Sequence, residues 1–325
     1  VNTTRGFSRV VSFIVTLGLV AAAAWLVLNR QAVIDWWRLS QYQPSAAVKQ
    51  LADNDTMVGR GSDLFYVSDP QVQEGTAFNK SCKNEGEKTI VLGCYKLQQI
   101  YLYNVTDARF SGVKEVTAAH EMLHAAYERL SNADRTKLDA MLKPIIEGMK
   151  DQRILDLIKL YNQKEPGQLY NEMHSILGTE YRALTPELEE YYKQYFSDRS
   201  KIVAYAEAYQ GPFTDSQNKI DEYAKQLALM KTQIDQNNES LKTQQSELQA
   251  ESHELNRLRA SDLDAYNAAV PGYNAKVDAF NAQVEQTKAL INEYNALVET
   301  YNAQAAAQDN LYQSLDSSYQ PAAQN

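Results

Sequence analysis

The sequence predicts an α+β fold that is mainly α: one transmembrane helix, then a domain of several helices with a small sheet, then an α-helical coiled-coil hairpin. Three observations carry this. From Val10 to Asn29 there is no charged residue, and such a run reaches about 30 Å as a helix, the thickness of a bilayer core. The middle of the chain mixes short β-branched and aromatic runs with longer stretches of helical periodicity. The last third repeats apolar residues at every seventh position. The boundaries fall at residues 1–30, 31–212 and 213–313, followed by a disordered tail over 314–325.

At 325 residues the chain can bury one substantial core, and its net charge of −9 argues against a nucleic-acid partner, which would need a basic surface. Val1 reads as a bacterial alternative start codon translated literally; a processed or truncated terminus fits equally. Arg5, Arg9 and Arg30 bracket the apolar run. A cleavable signal peptide is the alternative, because Ala21 to Ala24 offers small residues for cleavage. Against it, Trp25-Leu26-Val27-Leu28 continues the run, and Trp36 and Trp37 follow where an interfacial aromatic belt would lie. Arginines on the two sides balance, so orientation rests on the cysteines. Cys82 and Cys94 are the only two, with Asn84-Glu85-Gly86-Glu87 between them as a turn. A disulfide there would add about 3 kcal/mol and persist only outside the cytoplasm. The alternative, a metal pair, lacks further ligands nearby. The expected location is therefore a bacterial cell membrane, single-pass, with the large C-terminal part extracytoplasmic and the bilayer as one partner.

An amphipathic piece over Ala32 to Leu51 leads away from the membrane. Strands are expected at Leu64-Phe65-Tyr66-Val67, at Thr89 to Leu92 and at Gln99 to Val105, the last alternating and rich in β-branched and aromatic residues. Its free edge would either pair with an extended peptide or be an ordinary sheet strand. After Gly112 a helix is expected from Val113 to Leu130, with Val116, Ala119, Leu123, Ala126 and Leu130 as its apolar face. Ser131 to Asp134 has the capping-box form and starts a helix over Ala133 to Met149; another follows over Asp151 to Asn162. Lys164-Glu165-Pro166-Gly167 breaks the chain, and Leu169 to Glu180 is helical again. Thr185-Pro186-Glu187 begins a helix to Gln210, with Tyr191, Tyr192, Tyr195 and Phe196 as core aromatics; Gly211-Pro212 ends the globular part.

Chemistry centres on His120-Glu121-Met122-Leu123-His124. Histidines four apart share one helix face and can grip a divalent metal, while the glutamate between them reaches a water on it. The bland alternative is a pair of surface histidines and a solvated glutamate. A catalytic zinc needs a third protein ligand, and Leu169 to Glu180 can supply it. HExxH followed by a helical Asn171-Glu172-Met173-His174-Ser175 resembles the gluzincin (thermolysin-like) branch of the zincin metallopeptidases. The metzincin extension is absent, since Tyr127 and Leu130 stand where glycine and histidine would be required. The resemblance covers roughly residues 60–210 and implies a zincin-like catalytic domain that hydrolyses peptide or protein substrates. It implies Zn2+ on His120, His124 and Glu172, with Glu121 as general base. Ile176 stands where some gluzincins have an acidic residue that orients a histidine; Glu180 is the substitute candidate, and His174 is a rival ligand. Tyr170, Tyr181 and His174 are candidate oxyanion donors.

In the last third Ile220, Leu227, Ile234, Leu241, Leu248 and Leu255 form one heptad series, and Val270, Val277, Val284, Ile291 and Val298 a second. The register breaks between Leu258 and Tyr266, where Ser261 with Asp264 looks like a helix start; Pro271-Gly272 is the other natural turn. An antiparallel helical hairpin is expected, with an intermolecular coiled coil as the alternative and a protein partner at its surface. His253 reads as a surface histidine. Two functions follow: a membrane-anchored extracytoplasmic zinc metallopeptidase, or a catalytically inactive zincin-like envelope adaptor acting through its coiled coil.

Overall fold

Side-chain oxygens at four positions start helices by accepting an otherwise orphaned backbone N–H: Ser45 from Val48, Ser131 from Asp134, Asp151 from Arg153 and Thr185 from Leu188. The computed structural model describes residues 3–82 and 90–317, which are mostly helical with one three-stranded sheet. They divide into two units, one running to Gln210 and including the segment from Ser314, the other Gly211–Gln313.

In the first unit α1 (Thr3–Leu28) and α2 (Arg30–Gln41) are followed by α3 (Ala46–Asn54) and α4 (Arg60–Val67). Among the described residues no single helix is long and apolar enough to cross a membrane; Phe13–Leu28 and Arg30–Gln41 meet that test together, bent by 75°. The amphipathic piece expected over residues 32–51 is two helices, because Pro44 and the Ser45 cap interrupt it. Leu64 to Val67, expected as a strand, is helical. Its apolar run is too short for periodicity to decide, and Gly61 in the same helix lies so close to the Tyr195 carbonyl that a Cβ would be 2.3 Å from it.

β1 (Gln71–Gln73), α5 (Gly75–Ser81), β2 (Gly93–Lys96) and β3 (Gln99–Tyr103) come next. The sheet order is β1-β3-β2, with Val72 opposite Leu102 in parallel and Cys94 opposite Tyr101 antiparallel. β3 is therefore central with both its edges paired: of the two readings its sequence allows, it is the ordinary sheet strand and not the free edge. The edges are β1 and β2, and β2 is the one that lies against α6. The expected strand at 89–92 is irregular from Ile90 to Leu92, while Thr89 and the turn at 84–87 lie outside the described residues. Cys82 and Cys94 form a disulfide that ties the end of α5 to β2.

α6 (Val113–Glu128) is the central helix, with Ala118, Ala119, Met122, Leu123, Ala125 and Ala126 fully buried. Its small residues admit β3 and α4 on one side and α9 (Leu169–Glu180) on the other, where Met173, Ile176 and Leu177 face it. Close approach needs Gly178, because a Cβ there would stand 2.4 Å from Leu123 Cδ1. α7 (Asn132–Glu147) and α8 (Gln152–Lys164) link them, and a 3-10 turn at Pro166–Gln168 leads into α9. The helix expected over 186–210 is divided into α10 (Pro186–Tyr192) and α11 (Arg199–Ser261). Between them Tyr195 and Phe196 turn into the core and Phe196 bridges Met57. Arg199 then donates to the carbonyls of Leu177, Tyr181 and Arg182 and pairs with Glu189, satisfying the end of α9.

Gly211-Pro212 does not end a helix, since α11 continues through it. In the second unit α11 and α12 (Leu263–Leu315) are joined at Asp262, whose carboxylate accepts from Ala265 N–H. The break thus falls in the stretch between Leu258 and Tyr266, and Pro271 lies inside α12. The two helices run antiparallel: Gln244 meets Gln283, Glu251 pairs with Lys276, Ser216 with Gln304, and Phe213 with Tyr312. Positions of both heptad series are the less exposed ones along each helix, and His253 is exposed.

Candidate metal centre

Four-residue spacing on α6 stacks His120 and His124 on one face, and the first turn of α9 brings Glu172 across to them. The two histidine Nε2 atoms are 3.1 Å apart; Glu172 lies 3.6 Å from the first and 3.5 Å from the second, through different carboxylate oxygens. All three side chains keep a little exposure, 17%, 15% and 14%. Donor atoms around a tetrahedral ion with bonds of about 2.1 Å stand about 3.4 Å from one another. The observed separations fit, so His120, His124 and Glu172 form a group that could hold a metal ion.

Second contacts aim these groups. Asn171 Oδ1 lies 3.0 Å from His124 Nδ1, which places the proton on Nδ1 and leaves the Nε2 lone pair free toward the group. Tyr161 on α8 donates to Glu172 Oε2 at 3.0 Å. The sequence pattern quoted Asn171 only as part of a resemblance and did not single out Tyr161. The signal for Asn171 was its place beside the ligand, whereas Tyr161 arrives by tertiary packing alone.

Glu121 lies on the inner side of α6, 6% exposed, and lines the same cavity. Burial pushes its carboxyl up to about 7; His124 pulls it down, Glu172 pushes it up, and the Tyr95 backbone N–H favours the charged form. Gly93 of β2 faces it so closely that a Cβ would be 2.9 Å from Glu121 Oε1. The cavity, 430 Å³, has an apolar side from Leu157, Leu160 and Val116 and a polar side from the metal-binding group.

The other sequence candidates go elsewhere. Glu180 lines the cavity but is held by Arg153 at 2.6 Å and Gln210 at 2.8 Å, and no hydrogen bond joins it to a histidine among the described residues. His174 is fully buried, stacked on Tyr192 and flanked by Tyr127, Tyr191 and Tyr195. Burial, with His124 and His120 close by, lowers its imidazole to about 3, so it packs in the core as a neutral ring. Tyr181 donates to Met149 Sδ, Tyr170 packs on the core, and neither is among the cavity-lining residues.

Compared with known protein families, curated proteins and solved structures, the chain matches none. What it can do rests on the site itself: two imidazoles and a carboxylate that could hold a metal ion, a buried carboxyl pushed up to about 7, and an edge strand beside both.

Proposed function

We propose that the protein is a zinc-dependent metallopeptidase that hydrolyses peptide bonds with water activated by Glu121. The observation that carries this is the convergence of His120, His124 and Glu172 within 4.8 Å beside a buried Glu121, in one open cavity. A nitrogen-rich set with one carboxylate suits Zn2+ better than magnesium or calcium, which prefer oxygen ligands. When bound, such an ion supplies Lewis acidity toward water and toward the scissile carbonyl.

The remaining work falls to the chain. Glu121 takes a proton from water and returns it to the leaving amine, a role that needs a carboxyl titrating near the working pH. Asn171 fixes the His124 tautomer and Tyr161 orients Glu172. β2, unpaired on its outer edge among the described residues, offers main-chain groups to an extended peptide beside Glu121. The gluzincin resemblance and the zincin-like domain are part of the same reading. So is a membrane anchor built on the bent pair Phe13–Leu28 and Arg30–Gln41, where Phe13, Leu17, Leu19 and Trp25 are largely exposed, with the catalytic part outside, where a disulfide persists. The antiparallel α11 and α12 serve in it as a coiled coil that positions the enzyme or recruits a protein partner.

Purified full chain in detergent, assayed for zinc content and for cleavage of a peptide library, tests the proposal. Wild type is expected to bind one zinc per chain and cut; Glu121→Gln is expected to keep the zinc and lose about 10²-fold or more in rate. Zinc binding without any glutamate-dependent cleavage would instead favour the adaptor reading.

A further inference from the structure

A second cavity, 870 Å³, opens beside the first, and Tyr95, His124, Gln168 and Asn171 line both. Its far wall carries two cations, Lys96 at the end of β2 and Arg135 on α7. Arg135 is short of partners. Its Nε is buried with no hydrogen bond, its Nη2 makes one long contact of 3.4 Å to the Tyr127 carbonyl, and its guanidinium lies 5.0 Å from the Tyr127 ring centre. It forms no ion pair among the described residues. The neighbouring Asp139 accepts instead from the Tyr127 hydroxyl at 2.8 Å. Glu128, the one acid on the cavity wall, is engaged by the Tyr95 hydroxyl, which also accepts from Arg129. A buried guanidinium donor with no acceptor is costly, and the chain as a whole is acidic, so two cations facing one cavity point to an anionic ligand.

β2 sets where that anion would sit. Gly93 abuts Glu121, and Lys96 is three residues further along the strand, about 10 Å. We propose that the second cavity is a substrate subsite in which Arg135 and Lys96 bind a peptide carboxylate about three residues from the bond held at Glu121. This rests on the metallopeptidase reading for its substrate. Two sources supply such a carboxylate, the peptide's own C-terminus and an Asp or Glu side chain; the shared chemistry is a planar anion that a guanidinium grips through two parallel hydrogen bonds.

Binding tests it without turnover. The zinc-loaded Glu121→Gln chain is titrated with three fluorescein-labelled, alanine-based hexapeptides and read by anisotropy: one with a free C-terminal carboxylate, one amidated, and one amidated with an internal Glu. At least one carboxylate probe is expected to bind about tenfold or more tighter than the neutral amide. That preference should vanish in Arg135→Gln and fall about threefold in Lys96→Gln, an exposed position where substitution leaves the fold intact. Which probe gains identifies the source of the carboxylate. Equal affinity for all three probes, no binding, or a preference that survives both substitutions would overturn the proposal. If Arg135→Gln does not fold, Lys96→Gln decides. Cleavage by wild type without a carboxylate preference would sink the subsite alone, whereas the preference without cleavage would sink the peptidase reading and leave the subsite.

Discussion

Gly93→Ala places a single methyl group between β2 and the Glu121 carboxylate. The new Cβ would stand 2.4 Å from Thr117 Cγ2, 2.9 Å from Glu121 Oε1 and 3.0 Å from Glu121 Cγ, where ordinary contact begins at 3.4 Å. Thr117 must therefore retreat by about 1 Å and Glu121 by about half that, against a fully buried stretch of α6 that gives little. Overpacking of this kind costs about 1–3 kcal/mol, and, on the proposed peptidase function, moving Glu121 by such a distance costs up to about 10² in kcat/KM. The two effects separate in Gly93→Ala/Thr117→Ser. That change removes Cγ2 but keeps the hydroxyl that Thr117 donates to the Val113 carbonyl at 2.7 Å. Thermal melting should recover most of its loss in the double variant, while peptide cleavage should stay low because Glu121 is still displaced; zinc content should stay at wild type in both. A Gly93→Ala enzyme that cuts at the wild-type rate, or a double variant that regains stability and rate together, would refute the placement of Glu121 against β2.

Asn171→Ala should weaken metal binding by about 10–100-fold, measured by competition with a chromophoric chelator, because His124 loses the partner that fixes its tautomer; unchanged affinity would remove Asn171 from the site. Asp55 is fully buried with neither carboxylate oxygen hydrogen-bonded, and burial, aided by Glu115, holds its pKa well above the usual range. The folded protein then binds the proton more tightly than the unfolded chain, so Asp55 lowers stability progressively as pH rises above about 4 and through the folded pKa. Urea midpoints of Asp55→Asn should gain on wild type between pH 4.5 and pH 8, whereas parallel profiles would contradict the burial of an ionisable group there. Replacing Cys82 and Cys94 by serine should cost about 3 kcal/mol in urea unfolding, since the bond closes a loop across 12 positions; equal midpoints with and without reductant would show that it contributes nothing.

Helices that begin with a strong cap and carry their own periodicity were legible in the sequence. The Ser131 and Thr185 starts, α6 after Gly112 and the span Leu169–Glu180 were read within a few residues of where they lie. Spacing also put His120 and His124 on one face, because four residues is a property of the helix and not of its surroundings. What sequence could not carry was decided by contacts made at a distance. Leu64 to Val67 is as apolar as a strand and became a helix once Gly61 lay against Tyr195. β3 has the best strand pattern and for that reason lies in the middle of the sheet, with Ile100 and Leu102 fully buried; the edges fell to the shorter β1 and the glycine-bearing β2. His174, two residues after Glu172, is by sequence either a rival ligand or a polar residue packed near the site, and the structure has it packed. One further step round α9 turns it away from the cavity and into a cage of tyrosines. Tyr161 was invisible, since 11 residues and a chain break separate it from the carboxylate it binds.

β2 is short, and a strand of four residues at a sheet edge has little of its own to hold it beside Glu121. Its position comes from cross-links. Cys94 is bonded to Cys82 at the end of α5, and the Tyr95 hydroxyl accepts from Arg129 at the end of α6. Arg129 is itself a bridge: its guanidinium grips both oxygens of Asp35 on α2, at 2.8 and 3.1 Å, with only 6% of its side chain exposed. A buried pair of this kind gains little net stability over well-packed apolar residues, because desolvation offsets the attraction. Its effect is geometric, as a planar fork accepts one arrangement of carboxylate and hydroxyl and few others. The strand that faces Glu121 is thus registered to α2, the helix that follows the apolar N-terminal segment. Two side-chain contacts, Asp35 to Arg129 and Arg129 to the Tyr95 hydroxyl, join α2 to the residue whose backbone N–H favours the charged form of Glu121.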